Sequence, residues 1–181
     1  MTRYKATWGR PLIVVSAVAT LVCLAIPFWG RQFFSGLSHP FGSWLAMLPL
    51  VLLLCSALYS ITGYTLTDDT LIIHRPGWRT RIPLAGIEAA EVSPGAMRGS
   101  LRIFGNGGLY SFTGWYWNRV LGKYQAFVTT LDNTVVLRFR DRRIVVSPDR
   151  PDDFVREITR TIETGEGARP AVESPTADSD A

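Results

Sequence analysis

Two long stretches without charge constrain this chain more than anything else in it. No Asp, Glu, Lys or Arg lies between Pro11 and Gly30, and none lies between Gln32 and Thr67. A hydrocarbon core roughly 30 Å thick takes about 20 helical residues to cross. Leu12–Trp29 has just that length, and Phe41–Tyr64 has more than enough. Pro49 falls inside the second stretch, which bundled membrane helices tolerate. Trp8, Trp29, Trp44, Tyr59 and Tyr64 fall near the ends, where amphipathic rings favour the headgroup level. The expectation is a hairpin of two transmembrane helices, about 12–29 and 41–64. The first stretch runs into Ile26, Pro27, Phe28 and Trp29 with no small-x-small site, so it reads as a retained helix rather than a cleaved signal peptide.

Charge divides the chain in the same places. Residues 1–63 carry Arg3, Lys5, Arg10 and Arg31 and no acid; residues 64–164 carry fourteen basic and eleven acidic side chains; residues 165–181 carry one Arg and four acids. Three basic residues precede the first stretch and Arg75, Arg79 and Arg81 follow the second, whereas the connection between them holds only Arg31. The positive-inside rule then places both termini and the remaining residues in the cytoplasm. On that hairpin Cys23 and Cys55 would differ in depth by roughly 12 Å, further than a disulfide's reach of about 7 Å.

From Tyr64 the apolar period changes from helical to strand-like. "YTLT" and "TLIIHR" flank Asp68–Asp69, and Pro76–Gly77 is a turn pair before an alternating Arg79–Leu84. Ile87–Val92 reads as a further strand. Leu101–Phe104 and Leu109–Phe112 flank Gly105-Asn106-Gly107-Gly108, where Asn-Gly signals a hairpin turn. Tyr124–Leu131, Thr134–Arg140 and Arg143–Ser147 complete the set. Strands at this spacing imply an antiparallel barrel or sandwich of about seven or more strands. One helix closes it. Asp149 suits an N-cap, Pro151 the first turn, and Asp152 and Asp153 offset the dipole. Phe154, Ile158 and Ile162 form one apolar stripe, and Gly165 is placed to stop it. The organisation expected is 1–64 as N-terminal segment with two transmembrane helices, 65–164 as a cytoplasmic domain, and 165–181 as a disordered acidic tail with little apolar surface to bury.

"YTLTDDTLIIHR", "RIPLAGIEAAEV", "FGNGGLYSFTGWYWNRVLGKYQAFVTT" and "VVLRFRDRRIVVSPDRPDDFVREI" together resemble the bacterial pleckstrin-homology-like proteins in their membrane-anchored form, over roughly residues 40–163. The resemblance implies a partly open β-barrel capped by one C-terminal helix at the inner membrane of a bacterium, with no catalytic residue to carry over. Eukaryotic namesakes often bind phosphoinositides through a basic first hairpin. Here that loop holds Asp68 and Asp69, so the role does not transfer.

The chemistry legible in the residues is that of binding. Gly105–Gly108 lacks the Lys-Ser/Thr that a phosphate loop requires. His39 and His74 stand apart from any nucleophile or second ligand, and no cysteine lies beyond Cys55, so neither an enzyme nor a cofactor nor a metal is expected. Phe112–Lys123 brings together Trp115, Tyr116, Trp117, Arg119 and Lys123 in what reads as a long loop. Base stacking would need a more basic domain, so nucleic acid is not expected. The rings either close the barrel and cover its rim or face a headgroup boundary. Arg138 and Arg140 share one face of a strand, as a solvated outer face or as an attraction for anionic lipid. The expected role is a membrane-tethered binding or scaffold module that recognises a protein partner or another copy of itself, by strand addition at an open sheet edge. The alternative is an anionic-lipid or small-ligand sensor using residues 112–123 and 138–143.

Overall fold

A computed structural model describes the backbone of residues 1–33 and 39–167, and the side chains of residues 1–26, 29 and 47–164. In chain order the elements are β1 (Thr2–Lys5), α1 (Arg10–Phe33), α2 (His39–Leu58), β2 (Gly63–Leu66), β3 (Thr70–His74), β4 (Arg79–Pro83), β5 (Ile87–Val92), β6 (Leu101–Gly107), β7 (Phe112–Asn118), β8 (Gly122–Val128), β9 (Val135–Phe139), β10 (Arg143–Val146) and α3 (Pro151–Gly167).

The strands form two sheets, not a barrel. A four-stranded sheet has the order β1-β2-β3-β4, and a six-stranded sheet has the order β5-β9-β10-β8-β7-β6. The barrel expectation fails because β4 and β5, although consecutive, sit at the edges of different sheets and do not pair. Nor is the pairing wholly antiparallel. β10 inserts between β9 and β8 and runs parallel to β8, with Val145 opposite Ala126.

The main core lies between the sheets and under α3. Tyr64, Leu71, Ile73, Leu137, Ile144, Phe154 and Ile158 are fully buried there. A second cluster covers the other face of the six-stranded sheet, with Met97, Tyr116, Tyr124, Val128, Val136 and Val145. Burial on both faces is why β9 and β10 read as nearly continuous apolar runs rather than alternating ones. α3 carries Asp152 and Asp153 in its first turn and lays Phe154 and Ile158 on the core as its stripe predicts, but it continues past Gly165 to Gly167. The acidic tail beyond Gly167 lies outside the described residues.

The transmembrane hairpin is also overturned. Among the described residues no helix is long and apolar enough to cross a membrane. The start of α1 packs on the β domain. β1 adds to the edge of β2, with Tyr4 opposite Tyr64, and buries Tyr4 against Phe154, ring centroids 5.0 Å apart. Gly9 then donates its N–H to Thr129 O at 3.0 Å. Leu12 and Ser16 are buried, Ser16 Oγ accepts from Tyr110 N at 2.9 Å, and the Thr20 and Tyr110 hydroxyls lie 2.8 Å apart. One side of the first turns of α1 therefore faces protein, while Val14, Val18 and Leu21 are exposed. Cys23 and Cys55 are both free thiols.

Candidate functional site

The glycine-rich run forms strand rather than turn. Gly105 and Gly114 are register partners across β6 and β7, with φ of 113° and 134°. A Cβ on Gly105 would fall on Thr113 O, and one on Gly114 would fall on Phe104 O. The glycines therefore permit a close approach of two backbones. The chain reverses later, over residues 108–111, where Leu109 N donates to Asn106 Oδ1 at 3.1 Å, the Asn106 amide donates back to Leu109 O, and Tyr110 takes φ 63°. The expected turn at Asn106-Gly107 is displaced because the Asn106 side chain, not its backbone, makes the turn.

The expected aromatic loop is β7 itself. Its alternation separates the three rings. Tyr116 points into the second cluster, stacks on Tyr124 with centroids 6.0 Å apart, and donates its hydroxyl to Asn106 O at 2.6 Å. Burial pushes its phenol up to about 12. Trp115 and Trp117 take the opposite face, Trp115 half-buried and Trp117 exposed. Lys123 lies over the Trp115 ring at 4.8 Å. Arg119 is exposed in the β7–β8 turn.

Arg138 and Arg140 lie elsewhere. β9 is three strand positions from β7, which is about 14 Å at the usual strand spacing. Arg138 is paired with Glu91 at 2.7 Å and Arg140 with Glu88 at 3.8 Å, both acids on the neighbouring β5. The basic strand is thus partly neutralised, and it does not join the aromatic residues in one site.

Two other features do converge. The first is the outer edge of the six-stranded sheet. Among the described residues β6 has β7 on one side and no strand on the other, and it exposes Leu101, Ile103 and Phe104, the last at 76%. A bulge between Arg102 and Phe104 puts the two neighbouring apolar residues Ile103 and Phe104 at the surface together. The second is a groove of about 520 Å³ beside that edge, between the last turn of α2 and the face of the sheet that carries Trp115, Gln125 and Phe127. Its walls include Leu52, Tyr59, Phe104 and Trp115, and its polar groups include Arg75, Arg102 and Asn106.

Sequence reading missed Arg75 as a site residue. It follows β3 and opens a tight turn, its N–H donating to Trp78 O at 3.0 Å across Pro76–Gly77. The turn sets its guanidinium 5.6 Å from the Tyr59 and Trp78 ring centroids and 5.4 Å from that of Phe127. Tyr59 and Trp78 meet edge to face, 4.9 Å apart. Burial depresses the Arg75 pKa, and the Tyr59 and Tyr64 phenols oppose that effect. Only the "RPGW" turn hinted at this arrangement. The Tyr59 ring, just past α2, and the Phe127 ring from β8 are remote in sequence. Among the described residues no three His, Cys, Asp or Glu side chains come together to hold a metal ion.

The chain thus packs two sheets on one core and closes it with a C-terminal helix, and a family model described as "Bacterial PH domain" matches residues 62–162, more than half of the chain. The chain belongs to the bacterial PH domain family. No curated protein and no solved structure matches it. The matched span of this bacterial PH domain runs from the entry of β2 to near the end of α3, so it contains β6, β7 and Arg75 and leaves out β1, α1 and α2. PH domains are typically binding modules without catalysis. The groove therefore lies partly outside the matched span, since Leu52 and Tyr59 come from the segment before it.

Proposed function

We propose that this bacterial PH domain is a scaffold that takes an extended strand of a protein partner along β6, at the cytoplasmic face of the bacterial membrane. The observation that carries the reading is the apolar, unpaired edge. Long apolar edges are usually blunted by charge, proline or a covering element, because they template pairing with other chains. β6 carries Arg102 alone among charged residues, and no proline. Main-chain hydrogen bonds would supply affinity, and Leu101, Ile103 and Phe104 would supply side-chain selectivity. The exposed apolar surface of α1 and α2, including Val14, Leu21, Val51 and Leu54, together with the basic residues flanking these helices, supports residence at a lipid surface. A lipid sensor built on Arg138 and Arg140 has less support, since Glu91 and Glu88 already neutralise them.

The test is site-specific photo-crosslinking in native membranes from Leu101 or Ile103. A discrete adduct with one partner chain, lost in Leu101→Lys and Ile103→Lys variants, is the expected result. An adduct of twice the chain's mass would identify the partner as a second copy. Recovery of monomer alone would refute strand addition.

A further inference from the structure

We infer that the groove headed by Arg75 binds an anionic amphiphile: an acyl chain ending in a phosphate or carboxylate, with the head on the guanidinium and the chain along Leu52 and Phe104.

Arg75 is the starting point. Its Nε is buried and, among the described residues, is the only buried side-chain nitrogen or oxygen without a hydrogen-bond partner. Three ring faces offset part of the cost of removing the charge from water. They accept none of its in-plane N–H bonds, and a guanidinium presents five such donors in a planar fork. A guanidinium partly withdrawn from water, as Arg75 is, ordinarily has a carboxylate beside it. Among the described residues no Asp or Glu lines the groove. Among the described residues the ion pairs engage Arg98, Arg138, Arg140, Arg150, Arg156 and Arg160, and none engages Arg75, Arg102 or Lys123. An anion that offers two oxygens side by side is the complement of that fork, and both phosphate and carboxylate do so.

The rest of the groove selects against a bare ion. Its volume falls within the range of small-molecule sites, roughly 300–1,000 Å³. Beyond Arg75 and Arg102 the walls include Leu52, Phe104 and Trp115 beside the neutral polar Ser56, Asn106 and Gln125, and the apolar surface continues along α2 through Leu48 and Val51, both exposed. A ligand that satisfies the head but leaves these walls wet uses half of the site. This assignment does not depend on strand addition at β6.

The experiment is saturation binding of dodecyl phosphate to the full chain held in a neutral maltoside detergent, followed by native mass spectrometry. One molecule per chain is expected. Arg75→Gln should weaken binding by about tenfold or more, the loss expected for a charge-assisted hydrogen bond. Arg102→Gln, on an exposed side chain that carries no fold, should weaken it by about threefold and keeps the test valid if Arg75→Gln unfolds. Ile103→Lys, which abolishes strand addition, should leave amphiphile binding unchanged. Competition then sorts the source of the head. Displacement by phosphatidylglycerol vesicles assigns a membrane lipid, and failure of the vesicles to compete assigns a free amphiphile. Displacement by inorganic phosphate at matching concentration would overturn the amphiphile. So would wild-type binding no tighter than that of a neutral chain of equal length, or equal binding by wild type and both arginine variants.

Discussion

Gly105 and Gly114 show how much a single residue can decide in this protein. Both hold φ values that side chains resist, and each would drive a Cβ onto the facing strand's carbonyl. Gly105→Ala or Gly114→Ala should each cost more than about 2 kcal/mol by urea denaturation, because strain and overlap add. Gly86 has φ 77° with open space around it, so Gly86→Ala should cost only about 1 kcal/mol. Comparable losses at Gly86 and Gly114 would refute the close approach. Tyr64 is a second such residue. Its hydroxyl donates to Phe127 O at 2.7 Å and accepts from Ser147 N at 3.3 Å at the centre of the core. Tyr64→Phe should lose about 1–3 kcal/mol. Burial drives its phenol up to about 12, above the unfolded value of about 10, so the unfolded chain loses that proton first and stability should fall as pH rises between those values. His74 works in the opposite direction. Burial, then Arg3 and Arg79, depress its pKa, and its Nε2 lies 2.7 Å from Thr65 Oγ1. The unfolded state therefore binds the extra proton first, and stability should fall as pH drops through about 6.5. His74→Gln should flatten that part of a urea-midpoint profile, and an unchanged slope would rule out His74 as its source.

Among the elements, strands with a clear alternation or a turn pair on each side were legible. β2 to β5 lie where "YTLT", "TLIIH", "RTRIP" and "IEAAEV" place them. α3 was legible too, since four-residue spacing, acidic first turn and Pro151 all agree. Phe154→Ala should cost about 3–5 kcal/mol, because its ring is fully buried between Tyr4 and the sheets; thermal or urea unfolding would measure it. β7 was misread as a loop. Its glycine and aromatics look irregular in one dimension, and only the pairing of Gly105 with Gly114 makes them a strand. β1 was missed altogether, since "TRYK" offers one apolar residue and no repeat. Gly63 carries its trace: a Cβ there would lie 2.9 Å from Tyr4 O.

For the molecule as a whole, the N-terminus is part of the β domain. Removing residues 1–8 should destabilise the chain strongly, because it deletes an edge strand, the buried Tyr4, and the Thr7 carbonyl that accepts from Thr129 Oγ1 at 2.8 Å. A truncated chain with unchanged unfolding would contradict that role. A reporter fused after Ala181 should register as cytoplasmic in a bacterial host, and a periplasmic signal would refute the proposed sidedness. The ligand groove belongs to this scale as well. Arg75, Tyr59, Phe127 and Trp115 come from a turn, the end of α2, β8 and β7, and no local pattern joins them. By itself the sequence determined the β-rich domain, most of its strands, the closing helix and the absence of a phosphate loop, because periodicity, turn residues and helix-end charges act over a few neighbours. Only the tertiary structure decided that the strands form two sheets, that β10 enters between β8 and β9, that α1 starts against the domain, and that one half-buried arginine sits among three rings with no carboxylate paired to it among the described residues. Those depend on which distant surfaces exclude water together, and a one-dimensional pattern carries no record of that choice.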